Sequence, residues 1–320
     1  MSSRIQSLGV VGAGVIGLST AIVAQRRGHA VTLYADSPLL ETTSAKAAAS
    51  FKPHEVVMND LALTMLTQSW EHFDRLAQHN GLPSGVRLHT HWEASSSPVV
   101  HQPYLDVMKD LAVFEHPHVP GGYQSGRRYT TFFIDTPVYL PWLLREFMQS
   151  GGAFVHLQRR YEDLEELSTL PHEIIFNCTG LGSRKLCNDS SLYPIKGQVA
   201  IVAPQPQMDW SISADGFYVY PRSTDTVLGG TTEHHVETTT NDWVALSLLV
   251  RANRRILPHL TDASIVRGIA GLRPYRTQTI RVEAETVRDR RIVHNYGHGG
   301  AGVSLSWGSA ERALEVACLA

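Results

Sequence analysis

The chain has 320 residues, 43% of them hydrophobic and 18% charged, which is enough to bury a large core in one long α/β unit or two domains and too apolar for a disordered chain or a coiled coil. Thirty acidic against 28 basic side chains leave a net charge of −2, with no basic block, so neither nucleic acid nor an anionic membrane is the expected partner and a small molecule is. No apolar run approaches the roughly 20 residues of a membrane-crossing helix, and Met1 to Ser7 lack the basic and apolar regions of a signal peptide.

Leu8 to Val11 is a short apolar run ending in Gly12-Ala13-Gly14-Val15-Ile16-Gly17, after which small and apolar residues continue to Arg27 and Gly28. The pattern predicts a strand, a tight turn, a helix and a glycine stop. Ala30 to Ala35 predicts a second strand ending at Asp36, completing a βαβ unit about 30 residues long. Leu63, Leu66, Trp70, Phe73 and Leu76 recur at steps of three and four, predicting an amphipathic helix from Leu61 to Asn80 with Gly81 as its stop. From Leu82 to Tyr129, Pro, Gly, Ser and His are scattered among short apolar pieces, as expected for strands and loops of another domain.

Thr136-Pro137 begins the next predicted helix in a capping and first-turn arrangement, with Trp142, Leu143, Phe147 and Met148 on its apolar side and Gly151-Gly152 closing it. Ala153 to Leu157 and Ile174 to Phe176 predict strands, the second running into Asn177-Cys178-Thr179-Gly180, where small residues allow close approach of a ligand. Alternation at Val199 to Val202, Gly216 to Tyr220 and Val227 to Gly230 predicts an antiparallel sheet. A helix from Asp242 to Leu257 follows, ended by Pro258, then a strand at Ile292-Val293, a glycine-rich loop from His294 to Gly302, and a last helix from about Val303.

Three cysteines, Cys178, Cys187 and Cys318, form no Cys-x-x-Cys pair and fit reduced thiols in a cytoplasmic compartment. The Cys-Leu-Ala ending leaves a peroxisomal address open. Sixteen histidines invite a metal reading, but His89 with His91, His116 with His118, and His234 with His235 lack a helical i, i+4 pair, and His294 with His298 fall in the glycine-rich loop; no metal is expected.

Gly12-x-Gly14-x-x-Gly17 between a strand and a helix is a phosphate cradle: no side chain blocks the turn, backbone N–H groups face outward, and the helix dipole favours anionic charge. Asp36, at the end of the second strand, stands where a carboxylate holds ribose hydroxyls. The motif points to a dinucleotide and does not separate NAD from FAD.

The rest of the chain resembles the D-amino acid oxidase and D-aspartate oxidase family of flavoproteins. The most specific match is His294-Asn295-Tyr296-Gly297-His298-Gly299-Gly300-Ala301-Gly302, followed by Trp307-Gly308. Tyr34-Ala35-Asp36, Asn177-Cys178-Thr179-Gly180, Gly197-Gln198, Tyr218-Val219-Tyr220-Pro221, Leu228-Gly229-Gly230-Thr231 and Gly271-Leu272-Arg273-Pro274 support it in family order. The resemblance implies an α/β protein with a Rossmann-type FAD-binding domain (1–80, 137–190 and 268–320) and a substrate domain on a mainly antiparallel sheet (81–136 and 191–267). It implies noncovalent FAD, with the pyrophosphate at Gly12 to Gly17, the ribose on Asp36 with Ser37 beside it, and further contacts from Thr43, Ser44, Tyr161, Thr179 and Gly180. Ala47-Ala48-Ala49-Ser50 would line the flavin ring, where small side chains let peptide N–H groups reach N5 and O4. Gly299, Gly300, Gly302, Val303 and Ser304 would present N–H groups and a positive helix end to the N1 and C2 carbonyl region.

The resemblance further implies that Arg273 binds a substrate carboxylate, since a guanidinium offers two parallel donors, with Tyr218 assisting, Tyr220 as a pocket wall and Gly300 accepting the amine. The implied reaction is oxidative deamination of D-amino acids by hydride transfer from the α-carbon to flavin N5, giving a 2-oxo acid, ammonia and, with molecular oxygen, hydrogen peroxide. No side-chain acid or base is required. Three features depart from the mammalian pattern: Met208 to Gly216 is expected to be a short lid without the family's second tyrosine; Lys52 stands where a glutamine is usual; and Thr232 stands where D-aspartate oxidases place an extra arginine. The last favours neutral or aromatic substrates, although Arg222 and His234 are candidate substitutes. A glycine or secondary-amine oxidase and a D-aspartate oxidase are the rival enzymes, a non-catalytic dinucleotide-binding regulator is the rival of another class, and a homodimer is left open.

Overall fold

The structure is a computed structural model that describes residues 5–205, 207–258, 260 and 264–319, apart from the side chain of residue 82. The ends of the expected segments, Met1 to Arg4 and Ala320, lie outside the described residues, the last closing the Cys-Leu-Ala sequence. β1 (Ser7–Val11) runs into the glycine turn and α1 (Val15–Arg26), and the chain returns as β2 (Ala30–Ala35). In α2 (Asp60–Ser84) Leu66 and Phe73 are fully buried, as their spacing predicts. The expected stop at Gly81 is corrected: Asn80 leaves helical geometry, but the helix resumes through Pro83 and ends at Gly85, whose φ of +74° suits glycine.

β3 (Val86–Ser95), β4 (Lys109–Glu115) and β5 (Ser125–Ile134) precede α3 (Thr136–Gln149). Asp135, not Thr136, occupies the cap position of α3; the Thr136 hydroxyl instead donates to the Ala47 carbonyl at 2.7 Å. Met148, expected on the apolar side, is 45% exposed because it falls in the last turn beyond the packed stripe. Then come β6 (Ala153–His156), α4 (Leu164–Leu167), β7 (Ile174–Asn177), α5 (Ser183–Leu186), β8 (Leu192–Val202), β9 (Trp210–Ala214), β10 (Phe217–Pro221), β11 (Thr226–Gly229) and β12 (Glu233–His234). α6 (Trp243–Ile256) is capped by Asp242, whose carboxylate accepts from the Val244 and Ala245 amides at 2.9 and 3.1 Å. β13 (Arg267–Arg276), β14 (Arg281–Val287), β15 (Arg290–Tyr296) and α7 (Gly302–Val316) complete the chain.

Six strands form one sheet in the order β14-β15-β7-β1-β2-β6, parallel except for the β14–β15 pair. The second sheet has nine strands, β12-β8-β11-β10-β9-β3-β5-β4 with β13 on the other side of β8, and is antiparallel except where β3 meets β9. The expected lid from Met208 to Gly216 is therefore corrected: its alternating Trp210, Ile212 and Ala214 make β9, with Ile212 fully buried between β3 and β10. β13, which crosses the limit expected at residue 268, pairs along its whole length with β8 in the larger sheet.

Leu8, Val10 and Leu33 of the parallel sheet, Leu18 and Ile22 of α1, and Leu305 and Ala310 of α7 share one core. α7 crosses α2 where Gly308 lies so close that a Cβ there would fall 2.1 Å from the Met65 carbonyl oxygen. Trp307 beside it is buried with its indole N–H on the Tyr139 hydroxyl at 2.9 Å. This packing fixes where the first turn of α7 points. Among the described residues no helix is long and apolar enough to cross a membrane.

Candidate active site

One cavity of about 1020 Å³ runs between the two sheets, larger than most single-ligand pockets and suited to a dinucleotide with a substrate beside it. At one end the β1–α1 turn contributes Gly12, Gly14, Val15 and Ile16. Gly12 has a φ of +108°, and a Cβ there would stand 2.4 Å from the Cys178 carbonyl oxygen, so only glycine fits between the turn and the end of β7. Gly14, the N-cap of α1, has no side-chain cap, leaving first-turn N–H groups for an anion. Ser44 closes over this turn, its hydroxyl accepting from Val15 N–H at 3.0 Å. Two expected contact residues are displaced from the wall. Ala13 is packed into the core, and Gly17 sits behind the turn, where a Cβ would strike the Gly12 carbonyl oxygen at 1.8 Å.

Asp36, Ser37, Thr43, Tyr161, Thr179 and Gly180 line the same end. The Asp36 carboxylate is met by Arg160 Nε at 2.5 Å. Burial works against its charge, but Arg160's hydrogen bond and positive charge prevail and hold the carboxyl below its ordinary value. It is ionised, as an acceptor for ribose hydroxyls must be.

In the middle of the cavity, residues 47–50 form an extended strap, not a helical turn. Thr136 holds the Ala47 carbonyl, Ile134 N–H the Ala49 carbonyl at 3.1 Å, and Phe51 N–H bonds Phe132 at 2.8 Å. The Ala47 and Ala49 carbonyls are thus turned to α3 and β5, while the N–H groups of Ala48, Ala49 and Ser50 have no bond among the described residues and Ala48, Ala49 and Ser50 line the cavity. The buried Ser50 hydroxyl is an orphan, a polar atom that costs stability unless something else satisfies it. The Gly299 and Gly300 N–H groups, expected to face the ring, are instead taken by the Pro274 and Glu55 carbonyls at 2.8 and 3.3 Å, whereas Gly302, Val303 and Ser304, facing the strap, bring the uncapped start of α7 to the wall. These unpaired donors, the orphan hydroxyl and the glycine turn match a ligand with anionic phosphates at one end and ring carbonyls at the other, which fits FAD.

Beyond the strap lies the face of the larger sheet. Arg273 on β13 folds over Gly197 on β8, where a Cβ would sit 2.2 Å from Nη2. Its only hydrogen bond among the described residues runs from Nη1 to the Thr231 carbonyl at 3.2 Å, so a partly buried guanidinium faces the cavity with donors to spare. Tyr218 lies over Gly229, where a Cβ would be 2.4 Å from its hydroxyl, and stacks on Tyr220 at 4.4 Å. Burial raises both phenols, so both are protonated donors. His54 stands between Arg273 and Lys52 with half its ring open to the cavity; burial and those two charges lower its imidazole to about 4.

Thus Arg273, Tyr218, Tyr220 and Gly300 line the same cavity as the strap. Arg222 and His234 do not reach it. Arg222 is buried in a two-pronged pair with Asp225 at 2.6 and 2.7 Å, and His234 is exposed on β12 against Tyr193. Thr232 does line the cavity. Sequence reasoning missed Glu93, Arg127 and Ser213, which also line it. The Lys52 ammonium ion-pairs with Glu93, which also pairs with Arg127 and accepts from the Tyr104 and Tyr129 hydroxyls at 2.8 and 2.9 Å. Burial would raise Glu93, yet Lys52, then His91 and Arg127, hold it well below the usual carboxylate range. The histidines suspected of metal binding serve hydrogen bonds: His89 and His91 share Ser211, His294 meets Glu285, and His298 meets Ser309.

A D-amino-acid oxidase of Streptomyces coelicolor is 33% identical over 319 residues, covering 96% of this chain and 95% of that protein. A D-aspartate oxidase of Homo sapiens is 35% identical over 335 residues, covering 97% and 94%. Among solved structures, glycine oxidase from Geobacillus kaustophilus superposes with a TM-score of 0.79 at 17% identity, covering 97% of this chain and 94% of that one, a likeness of fold. The family described as FAD dependent oxidoreductase matches residues 7–315, nearly the length of the chain. The glycine turn, the strap of free N–H groups and the relatives at a third identity agree, and the chain belongs to the family of FAD-dependent oxidoreductases that includes the D-amino-acid and D-aspartate oxidases.

Proposed function

We propose that this protein oxidises D-amino acids, giving a 2-oxo acid, ammonia and hydrogen peroxide, with Arg273 as the anchor of the substrate carboxylate. The observation that carries this reading is the Arg273 guanidinium, committed among the described residues to a single carbonyl and lining the cavity that also holds the glycine turn and the strap. Buried arginines are normally paired; one with free donors in a cleft is built for an arriving anion. Tyr218, protonated and next to Arg273, donates a further hydrogen bond to the same carboxylate. Gly300 accepts the amine, fixing the second of three points that define the hand of the substrate; the ring face is the third. Bound FAD supplies the acceptor for the hydride leaving the α-carbon. The chain's own part is orientation and exclusion of water, the latter by the stacked Tyr218 and Tyr220 and by Val199 beneath them. A neutral side chain or an aromatic ring fits against these tyrosines.

The roles proposed for Gly12, Gly14, residues 48–50 and the start of α7 follow from the unpaired donors described above, and that of Asp36 from its ionised carboxylate at the cavity wall. For the division of the chain, the pairings support a substrate half of residues 81–136 and 191–276 set on the nine-stranded sheet, with the remainder holding the cofactor.

Anaerobic mixing of the FAD-loaded protein with a panel of amino acids tests the reading. Bleaching of the yellow colour by D-alanine, D-methionine or D-phenylalanine, and not by their L-forms, is expected. Bleaching by glycine or sarcosine alone would move the reading to a secondary-amine oxidase, and a protein that stays yellow with every amine would end it.

A further inference from the structure

The cavity face of the larger sheet carries a row of four opposed residues. Tyr218 on β10 faces Ser213 on β9, Ser213 faces Glu93 on β3, and Glu93 faces Arg127 on β5. Opposed residues on neighbouring strands project from the same face about 4.8 Å apart, and all four line the cavity. Lys52, two residues past the strap, reaches into this row. Its ammonium pairs with Glu93 and donates to the Ser213 hydroxyl at 3.3 Å.

Within the row, Ser213 and Glu93 are committed to protein partners, and Tyr218 is the donor proposed for the α-carboxylate. The Glu93 carboxylate takes Lys52, Arg127 and two tyrosine hydroxyls. Arg127, held to Glu93 through Nε, spends two more of its five donors on the Val100 carbonyl at 2.8 Å and Tyr104 at 3.4 Å. An ammonium has three donors, and Lys52 uses two among the described residues, leaving one N–H on a side chain that lines the cavity. That donor lies one to two strand spacings, about 5–10 Å, from Tyr218. An extended side chain of three or four carbons spans about 5 Å from the α-carboxylate.

We propose that Lys52 is a specificity-determining donor for the substrate's side chain, positioned by Glu93 and Ser213, and that it favours D-amino acids ending in an amide or carboxylate oxygen over hydrocarbons of the same length. This rests on the reading that Arg273 and Tyr218 hold the α-carboxylate. It adds an acceptor-bearing class to the neutral and aromatic side chains that the tyrosine stack accommodates. Glu93 and Ser213 are positioning residues; they hold the ammonium where an extended side chain ends.

The test compares kcat/KM of the FAD-loaded enzyme for D-glutamine and D-glutamate with that for D-norleucine, in the wild type, Lys52→Met and Lys52→Arg. The expected result is that Lys52→Met lowers the ratio of acceptor-bearing to hydrocarbon substrate about tenfold, the worth of one charge-assisted hydrogen bond, while Lys52→Arg keeps most of the preference. A binding readout independent of turnover uses calorimetry with glutarate and pentanoate, which share one carboxylate and differ at the far end. Glutarate binds more tightly to the wild type and loses that advantage in Lys52→Met. If Lys52→Met slows all substrates by one factor, slows only the reaction with oxygen, or leaves the glutarate advantage intact, the proposal is overturned. A wild type reduced by no D-amino acid would refute the proposed reaction instead, and the two carboxylate ligands would still decide the role of Lys52.

Discussion

Replacing Arg273 by leucine removes the anchor and little else. Among the described residues the guanidinium makes one hydrogen bond, with the Thr231 carbonyl, so folding loses about 1 kcal/mol. A bound carboxylate loses two charge-assisted bonds worth about 1.5–3 kcal/mol each, at least about 3 kcal/mol in all. At about 1.4 kcal/mol per factor of ten this lowers kcat/KM by two orders of magnitude or more. Because the carboxylate is held alike in the bound substrate and the transition state, most of the loss falls on KM. Steady-state peroxide release over a wide D-amino acid range measures it, with visible absorbance confirming that flavin is retained, since residue 273 touches neither the glycine turn nor the strap. A variant with full flavin content and kcat/KM within threefold of wild type would refute the carboxylate clamp.

Glu93→Gln leaves Lys52 and Arg127 without their counter-charge and should cost about 3–5 kcal/mol by urea unfolding. The Glu93 carboxyl is held below its ordinary 4.5 in the fold, so its stabilisation is complete above that pH and fades as the pH falls further; the variant's stability should depend less steeply on pH below about 4.5. Gly12→Ala puts a Cβ 2.4 Å from the Cys178 carbonyl at a φ of +108°, and about 1–3 kcal/mol of strain with lost flavin is expected, read as Tm and the absorbance of purified protein. Gly197→Ala should displace the Arg273 guanidinium, which lies 2.2 Å from the added Cβ; a rise in KM with flavin retained is expected, and unchanged kinetics would show that the side chain has another resting place.

What was legible in the sequence is what short-range chemistry dictates. The glycine turn, Asp36 at a strand end and the small residues of the strap are fixed by the local need for backbone approach, and each is found at the cavity wall. The Lys52–Glu93–Arg127 set was not legible: Glu93 meets Arg127 only through the register of β3 with β5, and Lys52 meets Glu93 only because the strap hydrogen-bonds to β5. β9 was misread as a lid although its alternation was visible at Trp210, Ile212 and Ala214. β13 carried the opposite difficulty, since glycine at 268 and 271 and Pro274 lower strand propensity, and what holds it is a ten-residue ladder to β8.

Two other glycines, on β8 and β11, join fold to function. A strand with glycine in its interior loses packing and backbone entropy, yet the larger sheet places Gly197 on β8 and Gly229 on β11 beneath the two side chains proposed to hold the substrate carboxylate. Arg273 and Tyr218 each lie in the slot left by a missing Cβ. The slots bring an arginine and a tyrosine close against the sheet at the cavity wall. The sheet gives up stability locally so that long side chains are held in one direction, and the ladder of β13 on β8 and the buried Ile195 and Val199 offset the loss. Placement of the anchor is therefore a property of neighbouring strands as much as of residue 273 itself.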